Sequence, residues 1–240
     1  MVGGVAGMLG LGRGDMFLVL VSYGYVLALI AVSGRLEGLL GLSRGSSRKF
    51  LHAMIGNLVL VIPFFNGTPG PVLIAAPFVL VTFLASPYSP IPGLRTLLGG
   101  LADLTEEGHH VGLILYSISF TLLVVLFPSR PDVVAAGILP MAYGDSSAAL
   151  VGRRFGRRRT LNGKTVEGSA AMFTVSLVSL MLGLAFISSV QSLDLIKSLA
   201  PAVAAALVCM LVEALSPRGL DNLTVPILGA LTFFLASGGL

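Results

Sequence analysis

The sequence has no tryptophan, a single cysteine, and few charges: 11% of its 240 residues are Asp, Glu, Lys or Arg. One thiol excludes an internal disulfide, and the place of Cys209 inside an apolar run marks it as a small buried residue. The shortage of charge excludes an ordinary soluble domain, in which about 25% of residues are charged. There is too little polar surface here to coat a water-exposed globule. Without tryptophan, an interfacial aromatic belt has to draw on Tyr23, Tyr25, Tyr88, Tyr116 and Tyr143. No internal repeat and no separate soluble segment is visible, so residues 1–240 read as one membrane-embedded domain.

Hydrophobic residues make up 55% of the chain. Met16–Val32, Val111–Phe127 and Ser198–Leu215 each approach the roughly 20 residues that cross a hydrocarbon core of about 30 Å. The pattern predicts an all-α, polytopic membrane bundle of about eight spans. They are Met16–Val32, Leu51–Phe65, Pro71–Ser86, Val111–Phe127, Val133–Val151, Ser169–Val190, Ser198–Leu215 and Leu223–Ala236. Arg13 before the first span is offset by Asp15, which leaves no positive leader region, so the first helix is read as retained.

Basic residues are distributed unevenly between the two sides. The loops after spans one, three, five and seven hold Arg35, Arg44, Arg48, Lys49, Arg95, Arg153, Arg154, Arg157, Arg158, Arg159, Lys164 and Arg218, twelve of the 15. The positive-inside rule places these loops in the cytoplasm and both termini outside. Most of the acidic residues and all three histidines gather on that same side, so the candidates for chemistry share one face.

Four stretches carry that chemistry. Asp145, in Met141–Gly152, stands in an otherwise apolar span, where a carboxylate is retained only beside a polar cavity or a partner. Its neighbours Gly144, Ser146, Ser147, Ala148 and Ala149 are small enough for close helix packing or close approach of a ligand. After the arginine run, Asn162-Gly-Lys-Thr165 and Val166-Glu-Gly168 supply backbone freedom and a point charge suited to phosphate. This is no Walker A loop, because the first glycine of that motif would fall at Arg158 and no strand precedes it. Arg48 and Lys49 open the second span, with His52 one turn from Arg48. Glu213 through Asn222 bridges the last two spans; Asp221 and Asn222 there either cap a helix or offer oxygen ligands to a hard cation. Glu107 and His109, in Glu106-Glu-Gly-His-His110, are weaker candidates, since adjacent helical residues point apart and suit zinc poorly.

Taken in order, these elements resemble the polyprenol kinase family, which includes dolichol kinase, phytol kinase and the CTP-dependent diacylglycerol kinase. The resemblance rests on Arg48, Lys49 and His52; on Gly144, Asp145, Ala148 and Gly152; on Gly163 to Ser169; and on Glu213, Pro217, Gly219, Asp221, Asn222 and Pro226, together spanning about residues 46–230. It implies transfer of the γ-phosphoryl group of CTP, with Mg²⁺, to a lipid alcohol drawn from the membrane: dolichol, phytol, geranylgeraniol or diacylglycerol. No nucleic acid partner is expected. Asp145, Lys164 and Lys49 are the expected catalytic residues. Arg48, Lys49, Gly144, Arg153, Gly163, Lys164, Thr165, Gly168 and Asn222 are expected to hold nucleotide and phosphate, and Asp145, Glu167 and Asp221 the metal. Two other readings stand beside this one: a cytidylyltransferase that forms a CDP-lipid, and a transporter, which would place polar groups near the bilayer midplane.

Overall fold

The computed structural model describes residues 10–40, 44–97, 110–217 and 219–239. Among these residues every regular element is helical, and the one strand-like pairing is an isolated antiparallel bridge between Arg159 and Thr165. In chain order the helices are α1 (Arg13–Leu40), α2 (Arg44–Ile55, continued as a 3₁₀ helix over Gly56–Phe64), α3 (Pro69–Ala85), α4 (Pro92–Leu97) and α5 (His110–Leu126). Then come α6 (Pro131–Leu139), a π turn over Pro140–Gly144, α7 (Asp145–Phe155), α8 (Val166–Val190), α9 (Leu195–Leu215) and α10 (Asp221–Ala236).

Each of the eight apolar segments expected from sequence coincides with a helix. Arg13–Ser33, Pro131–Phe155, Val166–Val190 and Leu195–Leu215 are long and apolar enough to cross a membrane. Lys49–Phe64, Pro69–Ala85, Val111–Leu126 and Asp221–Ala236 are apolar but shorter. Local chemistry sets several starts. Thr165 caps α8 by accepting from Gly168 N at 3.1 Å, and Asp194 caps α9 by accepting from Ile196 N and Lys197 N at 3.0 and 3.1 Å. Pro131 begins α6, where its missing N–H costs no helical bond.

The run α6–π–α7 is the hub. In its apolar stretch 78% of the residues are buried inside the protein, against 22% for α1 and 33% each for α8 and α9. Small side chains let the neighbours close in on it. A Cβ on Gly137 would meet the Pro226 carbonyl of α10 and Leu123 of α5, and a Cβ on Gly144 would collide with Ser176 and Met172 of α8. The surrounding helices turn apolar residues outward, among them Phe17 and Leu20 on α1, Leu182 on α8, Ile196 and Leu211 on α9, and Leu235 on α10. An exposed apolar belt of this extent belongs to a protein whose surroundings are lipid.

The π turn aims the hub's key residue. Pro140 has no N–H to give, and the chain widens by one residue so that Asp145 N–H reaches back to the Pro140 carbonyl. Asp145 is thereby delivered at the first turn of α7, buried, on the side facing α2 and the loop before α8.

Candidate active site

Four helices converge on one polar centre. Lys49 of α2 forms an ion pair and hydrogen bond with Oδ2 of Asp145, and Ser146 Oγ, the next residue of α7, donates to the Lys49 carbonyl at 3.2 Å. His52, one turn on from Lys49, has Nε2 3.8 Å from Asp145 Oδ2 and 3.2 Å from the Met141 carbonyl. From the far side comes Lys164. Its Nζ lies 2.5 Å from Glu213 Oε1 and 3.4 Å from Asp221 Oδ2, and it also donates to the Glu213 backbone carbonyl. Carboxylate oxygens of Asp145, Glu213 and Asp221 fall within 4.8 Å of one another.

A short hairpin-like loop presents Lys164. Thr160 N donates to the Lys164 carbonyl at 2.7 Å and Val166 N to the Arg158 carbonyl at 2.9 Å. The chain reverses between them through Asn162 and Gly163, both left-handed at φ 60° and 75°, a conformation natural to glycine and tolerated by asparagine. Asn162 Nδ2 donates to the Leu215 carbonyl at 3.0 Å and so pins the turn to the end of α9. Burial acts to lower the pKa of Lys164. The hydrogen bond and charge of Glu213, then the charges of Asp221 and Asp145, outweigh it and hold the ammonium above its ordinary value.

Around this centre lies a cavity of about 520 Å³, lined by Lys49, Asp145, Arg153, Gly163, Lys164, Thr165, Gly168 and Asp221, all expected from sequence. Arg159 and Glu213 line it as well, although the sequence placed neither among the catalytic, phosphate-binding or metal residues, using Glu213 only as part of the resemblance and Arg159 only as part of the basic loop. Glu213 carried a signal, a carboxylate within an apolar helix, of the same kind that singled out Asp145. Arg159 was indistinguishable from its neighbours in an arginine run. Gly152 and Gly168 let α7 and α8 cross closely at the cavity wall: a Cβ on Gly152 would sit 2.9 Å from Thr165 Oγ1, and one on Gly168 3.0 Å from the Ala148 carbonyl.

Other expected residues lie elsewhere. Glu167 is outside the carboxylate triad; its Oε2 accepts from Arg157 N at 3.1 Å and Arg158 N at 3.4 Å, which fastens the arginine loop to the start of α8. Gly144 is a packing residue under α8 rather than part of the cavity lining. Asn222 faces α5, where its side-chain nitrogen would be 2.8 Å from a Cβ on Gly112. Arg48 is in α2, one residue before Lys49. Glu107 and His109 lie outside the described residues.

Three carboxylates at this spacing form a set of hard oxygen donors, the kind Mg²⁺ takes together with phosphate oxygens and water. The two lysines already rest on these carboxylates, so cations and acid are interleaved on one wall. Such a wall can hold a polyphosphate and carries a carboxylate, Asp145, able to accept a proton.

The chain is 34% identical over 219 residues to the phytol kinase of Synechocystis sp., a match covering 88% of each protein. It is 29% identical over 151 residues to the dolichol kinase of Saccharomyces cerevisiae, covering 60% of this chain and 28% of that one. A probable chloroplastic phytol kinase of Glycine max is 28% identical over 198 residues, 78% of this chain. No family model and no solved structure gives a significant match. A helical membrane bundle with a cation-and-carboxylate centre, similar over most of its length to proteins named as kinases, falls in the class of membrane-bound kinases. The chain belongs to the polyprenol kinase family.

Proposed function

We propose that this protein is a CTP-dependent lipid-alcohol kinase with eight transmembrane helices, its polar centre on the cytoplasmic side and both termini outside. The observation that carries the reading is the junction of Lys49–Asp145 with Lys164–Glu213–Asp221 beside a cavity of about 520 Å³. The named relatives support the acceptor class, a polyprenol-type alcohol such as phytol or dolichol. The clustering of basic residues on one side supports the orientation.

The chain's own groups divide the work. Lys49, Lys164, Arg153 and Arg159 neutralise the triphosphate, which arrives with about four negative charges and needs positioning more than covalent help. Glu213, Asp221 and Asp145 would hold Mg²⁺, which would supply charge neutralisation to the bound polyphosphate. Asp145, beside His52, takes the proton from the alcohol. The alcohol oxygen then forms its bond to the γ-phosphorus, the bond from that phosphorus to the β–γ bridging oxygen breaks, and CDP leaves with the electron pair. The products are a lipid monophosphate, CDP and one proton.

Purified protein given γ-labelled CTP or ATP, Mg²⁺ and a panel of lipid alcohols is expected to place label in the organic phase, with CTP the better donor. Asp145→Asn should lower this transfer by about 10²- to 10⁴-fold while the protein remains folded in the membrane. Full activity in that variant removes the assigned role of Asp145, and release of pyrophosphate in place of CDP removes the kinase reading.

A further inference from the structure

Five arginines crowd the end of α7 and the loop after it, and they divide into two groups. Arg153 and Arg159 line the cavity of the polar centre. Arg154, Arg157 and Arg158 are exposed and stand outside that lining. None of these three forms an ion pair with a carboxylate among the described residues. The acid beside them, Glu167, turns its Oε2 to the backbone N–H groups of Arg157 and Arg158. It fixes the loop, and a single carboxylate does not balance three guanidiniums.

An apolar rim accompanies these charges. Leu150, exposed, lies one turn before Arg154 on the same face of α7. Phe155 ends α7 with 59% of its surface exposed, and the Arg154 guanidinium carbon is 5.6 Å from the centroid of its ring. Val166, also exposed, begins α8. The run from Pro131 to Phe155 is long and apolar enough to cross a membrane, so its last turn emerges where hydrocarbon gives way to headgroups. Apolar side chains followed by guanidiniums match the order of that boundary.

We propose that Arg154, Arg157 and Arg158, with Phe155 as apolar anchor, form a docking surface for the anionic phospholipid headgroups of the surrounding bilayer. Charge complementarity selects the occupant. The guanidinium fork matches phosphate oxygens, and each arginine held at an anionic surface adds about a fivefold preference. Leu150 and Phe155 favour the bilayer over a soluble polyanion, which offers nothing apolar to cover them.

The surface bears on the polar centre through the backbone. Val166 N donates to the Arg158 carbonyl and Thr160 N to the Lys164 carbonyl, so the arginine loop and the turn that presents Lys164 are one piece. Glu167 holds this piece from the protein side, and headgroups hold it from the membrane side. A bilayer rich in anionic lipid therefore steadies Lys164.

The lack of tryptophan in the chain makes the test direct. Phe155→Trp keeps an aromatic anchor and installs a lone indole at the loop. The protein is placed in nanodiscs of phosphatidylcholine and phosphatidylglycerol at fixed composition, with bromine on the chains of one lipid or of the other. Quenching is expected to show phosphatidylglycerol enriched about fivefold or more around the indole. Changing Arg154, Arg157 and Arg158 together to Gln is expected to abolish the enrichment. Equal local fractions of the two lipids, no quenching by either, or an enrichment that survives the triple change overturns the proposal. Salt supplies the same test with the arginines intact: raising it to about 1 M shortens the screening length to about 3 Å and is expected to erase most of the enrichment, and insensitivity to salt overturns the proposal as well. Hydrogen exchange reads the link to Lys164. The amides of Thr160 and Val166 are expected to exchange about fivefold more slowly in discs containing phosphatidylglycerol than in pure phosphatidylcholine, and equal rates overturn that link. None of these readouts involves phosphoryl transfer, so each stands or falls apart from the kinase reading.

Discussion

Lys164 is the residue on which the polar centre turns, because it joins a loop to α9 and α10 through Glu213 and Asp221. Its pKa in the folded protein lies above the ordinary 10.5. The stabilisation from its ion pairs is therefore complete below pH 10.5 and is lost as pH rises through the raised value. Thermal unfolding followed into strongly alkaline solution should show this loss, and Lys164→Met should flatten it. Glu213 makes a second test. Glu213→Gln keeps the shape and removes a charge from the triad, so the Mg²⁺ needed for half-maximal transfer is expected to rise about tenfold or more. A magnesium titration of activity reads this directly. At this scale the sequence was most informative where a charge interrupted apolar surroundings. Asp145 could be picked out that way, Lys49, Lys164 and Asp221 by the polar motifs that hold them, and the four meet in space. Glu167 could not be placed so, since its direction depends on how the arginine loop folds back and offers the N–H groups of Arg157 and Arg158.

Among the elements, the loop from Arg159 to Thr165 does the most with the fewest residues. Its left-handed pair, Asn162 and Gly163, determines where Lys164 points. Nothing lies within 4 Å of a Cβ built on Gly163, so Gly163→Ala meets no clash and acts through backbone strain alone, at about 1–2 kcal/mol. Nucleotide kcat/KM is expected to fall about five- to thirtyfold by that conversion, with kinetics at varied nucleotide as the measurement. Hydropathy located the helices but not their internal hydrogen-bond spacing. The 3₁₀ stretch Gly56–Phe64 and the π turn Pro140–Gly144 announce themselves in sequence only by Pro63 and Pro140. Gly144 is small enough for close helix packing or for a ligand, and the resemblance puts it with the phosphate-binding residues; the space it leaves is taken by Ser176 and Met172, the packing alternative.

On the scale of the whole molecule, eight apolar helices were legible from run length, and their arrangement was not. Hydropathy does not separate a side chain facing lipid from one facing protein. The distinguishing mark of the hub is its small residues, Ala135, Ala136, Gly137, Ala142 and Gly144, which matter only once neighbours are present to close on them. The proposed orientation is open to a simple test. Cys209 is fully buried, so it does not compete with engineered thiols. Arg154→Cys and Ser192→Cys each place a thiol at an exposed position, the first in the last turn of α7 and the second between α8 and α9. An impermeant maleimide is expected to label the first from the cytoplasmic face only and the second from the opposite face only.

The burial of the hub has a further consequence for the membranes in which this protein can work. α1, α8 and α9 leave far more of their apolar surface open to a surrounding bilayer than does the run from Pro131 to Phe155. A bilayer that is too thin or too thick costs fractions of a kcal/mol per Å of hydrophobic mismatch, and that strain falls first on the helices with the most surface open to it. Of the reacting groups, Asp145 hangs from a mast that the tide hardly wets, while Glu213 rides on the more open α9 and is the carboxylate such a mismatch reaches first.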